Sequence, residues 1–408
     1  MNIAVIGAGY GDEGKGKVVS YLCHSLHGKD VTVVRFSGGQ QAGHKVVLKN
    51  GLSHIFSNFG SGTFHNSNTY WSPLCTIDPV GVINELRILR SNNKKLLCPK
   101  LIIHPETPVT TPFEKLCNMT DVNNLEHGTC GVGVGKTWAR EEELHYKLHF
   151  KDLWFEDIFN SKLNLIEKHF GDLNIKLHID LLNFKEACKN IVTNSFAMCD
   201  WNNMLNITHK TDHWIYEGSQ GLMLDKDYGF YPHVTRSNTG LKGLDALNYK
   251  YDNVIYVTRA YSTRHGNGPF PGEEFLVKLN VDCQKEIDFY KDAISGKFRI
   301  APLNIDSLLY ALLSETIPND CKSYLVINCL DQMKNYCAIY RGELRFFKDE
   351  NDFLNFIAIS LPITNSNIFV SRTDVSDDIC SIENYLSSSK SSKKNSLFDV
   401  ITSSEMKK

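Results

Sequence analysis

Gly9-Tyr10-Gly11-Asp12-Glu13-Gly14-Lys15-Gly16-Lys17 follows directly on the apolar run Asn2 to Ile6, and this junction decides how the chain is read. A strand that breaks into glycines and resumes with lysines has the pattern of a phosphate-cradling loop. There, backbone N–H groups and the first turn of the following helix attract oxyanions. The spacing holds as far as Lys15. The next residue departs from it, because Gly16 stands where a Ser or Thr ordinarily touches magnesium. Asp12 is then left to ligate the cation or to do acid–base work, so such a site does more than bind and split a nucleoside triphosphate. A plain strand-to-helix turn would need neither the carboxylate nor the two lysines.

Outward from this loop, short β-branched runs recur at Val31 to Phe36, His213 to Tyr216, Asn253 to Val257, Ser323 to Asn328 and Asn367 to Val370. Their continuous hydrophobicity predicts strands buried on both faces. Helical stretches lie between them, at Lys17 to His27, Val80 to Ser91, Leu153 to Phe170 and Asp306 to Glu315. The alternation predicts an α/β fold with a large, mainly parallel central sheet flanked by helices, P-loop-like and carrying insertions. One domain over residues 1–408 is expected, with a flexible Ser/Lys-rich segment at 387–395.

The chain has 408 residues, 42% of them hydrophobic, and a net charge of −2. That balance argues against a surface that coats nucleic acid, while small anionic substrates need only a local basic cluster. Twelve cysteines without a C-x-x-C pair, and no basic-then-apolar opening, predict reduced thiols and a cytoplasmic location. Cys321, Cys329 and Cys337 are evenly spaced, which strands produce without any metal. No apolar run reaches the roughly 18 to 20 residues of a membrane span.

Three further polar, glycine-rich segments follow strands: Gly38-Gly39-Gln40-Gln41-Ala42-Gly43-His44, Glu217-Gly218-Ser219-Gln220-Gly221, and Thr258 to Gly268. All are expected as loops at the carboxyl edge of the sheet, where open α/β sheets bind ligands. His44 can move a proton near neutral pH, and the glycines let backbone carbonyls approach a ligand closely.

Taken in order, GDEGKGK, GGQQAGH, EGSQG through YPHVTRSNT, and AYSTRHGNGPFP resemble the adenylosuccinate synthetase family over the first two-thirds of the chain. The resemblance implies a magnesium-dependent ligase. It would join L-aspartate to carbon 6 of a purine nucleoside monophosphate after phosphorylating the 6-oxygen from a nucleoside triphosphate. Asp12 would take the N1 proton and, with the Gly43 carbonyl, hold magnesium; His44 would donate to the departing β-phosphate oxygen. Lys15 would neutralise the phosphoryl group and Gln220 would bond the purine edge. Gly11, Glu13, Gly14, Gly16, Lys17, Asn328 and Asp331 would contact the triphosphate. The monophosphate would fall to Gln41, Thr129, Cys130 and Thr235, and aspartate to Lys297 and Arg299. A homodimer is implied, without nucleic acid or membrane partners.

The sequence also departs from the family pattern. Gln41 replaces an asparagine, Cys130 a threonine, Val132 an arginine, Cys329 a lysine expected to stack on the donor base, and His265 an apolar residue beside the sugar. The Gly-Pro pair expected within Val370 to Asp374 is missing, and Arg140 is the nearest candidate for an arginine reaching across a dimer. GTP and ATP or dATP therefore remain alternatives as donor. IMP and dGMP remain alternatives as acceptor, the latter in a bacteriophage-type relative that makes a precursor of diaminopurine DNA. From other classes, a catalytically idle nucleotide-binding regulator would be expected to lose Asp12, Lys15 or His44, and a plain P-loop NTPase would have a hydroxyl after Lys15.

Overall fold

The structure, a computed structural model, describes residues 1–92, 100–121, 130–172, 178–201, 211–289, 296–386 and 396–405. In chain order its strands are β1 (Asn2–Gly7), β2 (Val31–Arg35), β3 (His44–Val47), β4 (Ser53–Phe56), β5 (Asn68–Trp71), β6 (Leu101–Ile103), β7 (Ala197–Cys199), β8 (His213–Gly221), β9 (Asn253–Arg259), β10 (Tyr261–His265), β11 (Phe298–Asn304), β12 (Lys322–Asn328), β13 (Tyr336–Tyr340), β14 (Glu343–Phe347), β15 (Ile368–Val370) and β16 (Cys380–Ser381). Ten of them form one sheet in the order β16-β15-β12-β9-β1-β8-β2-β5-β6-β7. Every pairing is parallel except the β15–β16 edge. β10, β11, β13 and β14 make a separate four-stranded sheet.

Central strands of a sheet covered on both faces cannot alternate polar and apolar side chains, and here they do not. β2 is buried at every residue and β1 at all but its first. Val5 and Ile3 face one layer with Val18, Val19 and Leu22 of α1 (Lys15–Ser25), whereas Ala4 and Ile6 face the other with Val34, Tyr216 and Tyr256. Chain order and strand order diverge around β1, since the chain leaves it for β2 while β8 and β9 lie on either side. The strand order reverses at β1, and the crevice at the carboxyl ends of strands at such a switch point is where open α/β sheets bind ligands.

Two expected loops are strand instead. Glu217–Gly221 continues β8, because β1 and β2 pair with it on both sides, Val5 and Arg35 standing opposite Glu217. Tyr261–His265 is β10, which finds its partner in β11 far along the chain. The helix expected over Leu153 to Phe170 is a 3-10 turn, Phe150–Trp154, followed by Glu156–Asp172; the Asp152 carboxylate accepts from His149 N (2.8 Å) and fixes the break. The 387–395 segment lies outside the described residues. Cys329 sits in a turn and Cys337 in β13. Among the described residues no group of three or more His, Cys, Asp or Glu is arranged for a metal, and no helix is long and apolar enough to cross a membrane.

Candidate active site

The loop after β1 is shaped from within by Glu13. Its buried carboxylate accepts from Gly9 N (3.0 Å), Gly11 N (2.8 Å) and Lys15 Nζ (2.7 Å), so the chain's own side chain satisfies these inward-facing donors. Room for it comes from two glycines. A Cβ on Gly7 would lie 2.4 Å from Glu13 Oε2, and one on Gly221 would lie 2.4 Å from Glu13 Oε1 and 2.0 Å from the Gly9 carbonyl oxygen. Gly221→Ala is expected to destabilise the fold by about 2–3 kcal/mol or more, since backbone must shift to admit the methyl. Thermal unfolding checks this, and an unchanged midpoint would show that the loop adapts freely.

The same turn points carbonyls outward. Gly11, Asp12 and Gly14 have φ of 97°, 61° and 90°. The Asp12 and Glu13 carbonyls accept from Arg259 Nε (2.5 Å) and Asn328 Nδ2 (2.8 Å). Asn328, expected at the triphosphate, thus also ties down the loop. Lys17 is buried, donating to the Ser371 hydroxyl and to the Thr373 carbonyl (2.5 Å). Asp331 lies exposed in the 3-10 turn Leu330–Gln332.

His44 opens β3 against the first turn of α1, where a Cβ on Gly16 would lie 2.7 Å from the His44 Cβ. Its Nδ1 faces the Glu217 carboxylate at 2.7 Å, and Nε2 lies 3.4 Å from the Ser219 carbonyl. Glu217 is fully buried and also accepts from Ser61 N (3.2 Å) and the Ser61 hydroxyl. Burial pushes the carboxyl up, but His44, Arg35 and Ser61 overcome it and hold Glu217 at about 2. Burial also dominates at His44, keeping the imidazole below its ordinary value against the pull of Glu217. A phosphate oxygen arriving at Nε2 would add negative charge and favour the protonated donor. Glu217 escaped the sequence reading because a carboxylate inside a glycine segment looks like loop polarity; its register beside Arg35 gives it its role.

Asp12 pairs with His265 Nε2. Burial pushes its carboxyl up, yet the hydrogen bond and charge of His265, with Arg259 and Lys15, hold it below the ordinary range. Cys130 is exposed. Gln41 folds back on Gly38, whose added Cβ would lie 2.7 Å from both the Gln41 amide nitrogen and Ser219 Oγ. The amide oxygens of Gln41 and Gln220 are buried without a hydrogen-bond partner among the described residues. Thr235 bonds Ser237 Oγ (2.8 Å) through its hydroxyl, and Thr129 lies outside the described residues.

Arg299 is engaged within the chain. It pairs through Nε with Glu273 Oε1 (2.7 Å), through Nη2 with Glu273 Oε2, and through Nη1 with the carbonyls of Gly266 (3.0 Å) and Gly268 (2.9 Å). An incoming carboxylate must replace Glu273, whereas Lys297 is exposed. Arg140 does not fit a reach to a second protomer. It is buried within its own chain, paired with Glu114 (2.9 Å) and donating to the Val109 carbonyl (2.7 Å).

The residues suit magnesium by donor chemistry. The Asp12 carboxylate and the Gly43 carbonyl, on an exposed glycine, are hard oxygens. Magnesium binds through one or two carboxylates and completes its shell with phosphate and water, a demand that these two oxygens can meet.

Comparison with known proteins matches this architecture. A sequence profile for adenylosuccinate synthetase matches residues 4–290. Adenylosuccinate synthetases of Francisella tularensis subsp. mediasiatica and of Francisella philomiragia subsp. philomiragia are each 32% identical over 293 residues, 67% of this chain and 66% of theirs. The match therefore spans slightly under two-thirds of those relatives' length. Among solved structures, the fully ligated adenylosuccinate synthetase from Plasmodium falciparum superposes with a TM-score of 0.73 at 19% identity, over 92% of this chain and 98% of that one. The cyanophage S-2L succinoaminodeoxyadenylate synthetase, bound to dGMP and dATP as an energy donor, gives 0.64 at 16%, over 93% and 95%. At those identities the superpositions speak for the fold, and the profile for descent: this chain belongs to the adenylosuccinate synthetase family.

Proposed function

We propose that the chain is a purine nucleotide–aspartate ligase acting on IMP, L-aspartate and a nucleoside triphosphate. The observation that supports this reading is geometric: the loop after β1 that holds the buried Lys15 also carries Asp12, paired with His265, while His44 packs against the first turn of α1 with its Nδ1 2.7 Å from the buried Glu217 carboxylate. Asp12 takes the N1 proton, the 6-oxygen attacks the γ-phosphorus, and His44 donates to the β-phosphate oxygen as it leaves. The aspartate amine then adds at carbon 6 and inorganic phosphate departs with the former 6-oxygen. Magnesium, held by Asp12 and Gly43, would neutralise charge on the transferring group. Gln220 offers its unpartnered oxygen to the purine edge, and Arg299 exchanges Glu273 for the aspartate carboxylate. A homodimer is proposed by family analogy, its bridging residue being other than Arg140.

A second reading, dGMP as acceptor, is supported by one feature: the buried oxygen of Gln220, which has no hydrogen-bond partner among the described residues, can accept from a 2-amino group that IMP lacks. Product mass spectrometry with L-aspartate and magnesium, crossing IMP, GMP and dGMP against GTP and ATP, separates the two. Succinylated IMP is the expected product. Succinylated dGMP would transfer the proposal to the second reading, and no product from any pair would overturn both in favour of a nucleotide-binding regulator.

A further inference from the structure

Arg259 ends β9 with its side chain turned towards the loop after β1. Its Nε donates to the Asp12 carbonyl at 2.5 Å, at a residue held in the left-handed region that side chains with a Cβ avoid. Behind it, Nη1 donates to the Tyr261 hydroxyl (2.9 Å), which donates to Gln332 Oε1 (2.6 Å). Gln332 Nε2 donates to Glu286 Oε1 (2.8 Å), and that oxygen lies 3.9 Å from Arg259 Nη1, closing a ring. The guanidinium also lies over the rings of Tyr261 and Phe298, and the side chain is only 12% exposed. A cation enclosed this way has little freedom, and the donor it turns outward is spent on Asp12.

We propose that Arg259 is the positioning residue that fixes Asp12 for its acid–base step, with Tyr261, Gln332 and Glu286 fixing Arg259 in turn. The role rests on the ligase reading, while the clamp itself is a property of the loop and needs no substrate. Gln332 adjoins Asp331, so the ring also connects the loop that meets the acceptor with the turn expected at the donor base. A lysine at 259 would supply charge without the planar fork that serves Asp12 and Tyr261 together.

Arg259→Met, Arg259→Lys and Tyr261→Phe in the full chain test this by two routes. In steady-state assays Arg259→Met is expected to lower kcat about 100-fold, the cost of a reacting group misplaced by roughly 1 Å, with each KM within about threefold of wild type. Arg259→Lys should recover part of the loss, and Tyr261→Phe, which deletes one oxygen, should show a smaller fall of about 5- to 10-fold. In hydrogen–deuterium exchange without ligands, peptides spanning residues 8–17 should exchange faster in Arg259→Met and Tyr261→Phe, with β12 unchanged. An unaltered kcat, a raised KM at constant kcat, or unaltered exchange in the loop would overturn the proposal. If the wild-type chain forms no product, the ligase reading fails and exchange alone decides on the clamp. If Arg259→Met does not fold, Tyr261→Phe decides by both routes.

Discussion

Asp12→Asn is expected to cut kcat by about 10³-fold or more, the upper part of the range for losing a general base, while the protein stays folded. Asparagine tolerates the left-handed backbone at this position as well as aspartate does, so the loop keeps its path. What disappears is the charge that pairs with His265 and that, in the proposed reaction, would take the N1 proton and offer magnesium an oxygen. The low pKa of Asp12 makes it a weak base in isolation. In the proposed step, bond formation between the 6-oxygen and phosphorus would withdraw electrons from the ring and acidify N1–H as the proton moves. Single-turnover formation of the 6-phosphoryl intermediate, alongside a melting curve within about 3 °C of wild type, is the measurement. Turnover within tenfold of wild type would remove Asp12 from the chemistry.

Glu217→Gln is the second large expected effect, a fall of about 10²- to 10³-fold in kcat, because His44 loses the carboxylate that orients it. The amide is nearly isosteric, yet Ser61 N, the Ser61 hydroxyl and His44 Nδ1 all face this group, and an added NH₂ must oppose one of them. Stability follows with a definite pH sign. Glu217 is held at about 2 in the fold against 4.5 as the ordinary value, so its contribution is complete above about 4.5 and lost as pH falls towards 2. His44, held below 6.5, acts in the same direction, since the unfolded chain binds its proton first as pH drops. Melting temperature recorded from pH 7 to 3 should decline more steeply in wild type than in Glu217→Gln. Parallel curves would show that the pair carries no linkage.

The strand-then-glycine pattern made β1, β2 and the crevice legible from the sequence, because buried parallel strands announce themselves by unbroken β-branched runs. The side-chain partnerships were not legible, since each is non-local. Arg299 reads as a free cation until β11 brings Glu273 against it, and Arg140 reads as a surface cation until Glu114 is folded beneath it. Glu13 reads as a ligand residue, although the glycines at 7 and 221 hollow out a place for it. Charge and spacing identify which groups can do chemistry; pairing decides which of them are already committed.

β1 is central, and its two neighbours, β8 and β9, lie more than 200 residues further along the chain. During synthesis the apolar strand bearing the glycine-rich loop therefore leaves the ribosome with neither neighbour in existence, and waits until residues 213–259 have emerged. Lys17 waits longer, for Ser371 and Thr373. A nascent chain in that condition keeps an apolar strand unpaired for most of its synthesis, and a product truncated before residue 371 would leave Lys17 without the two acceptors that hold it.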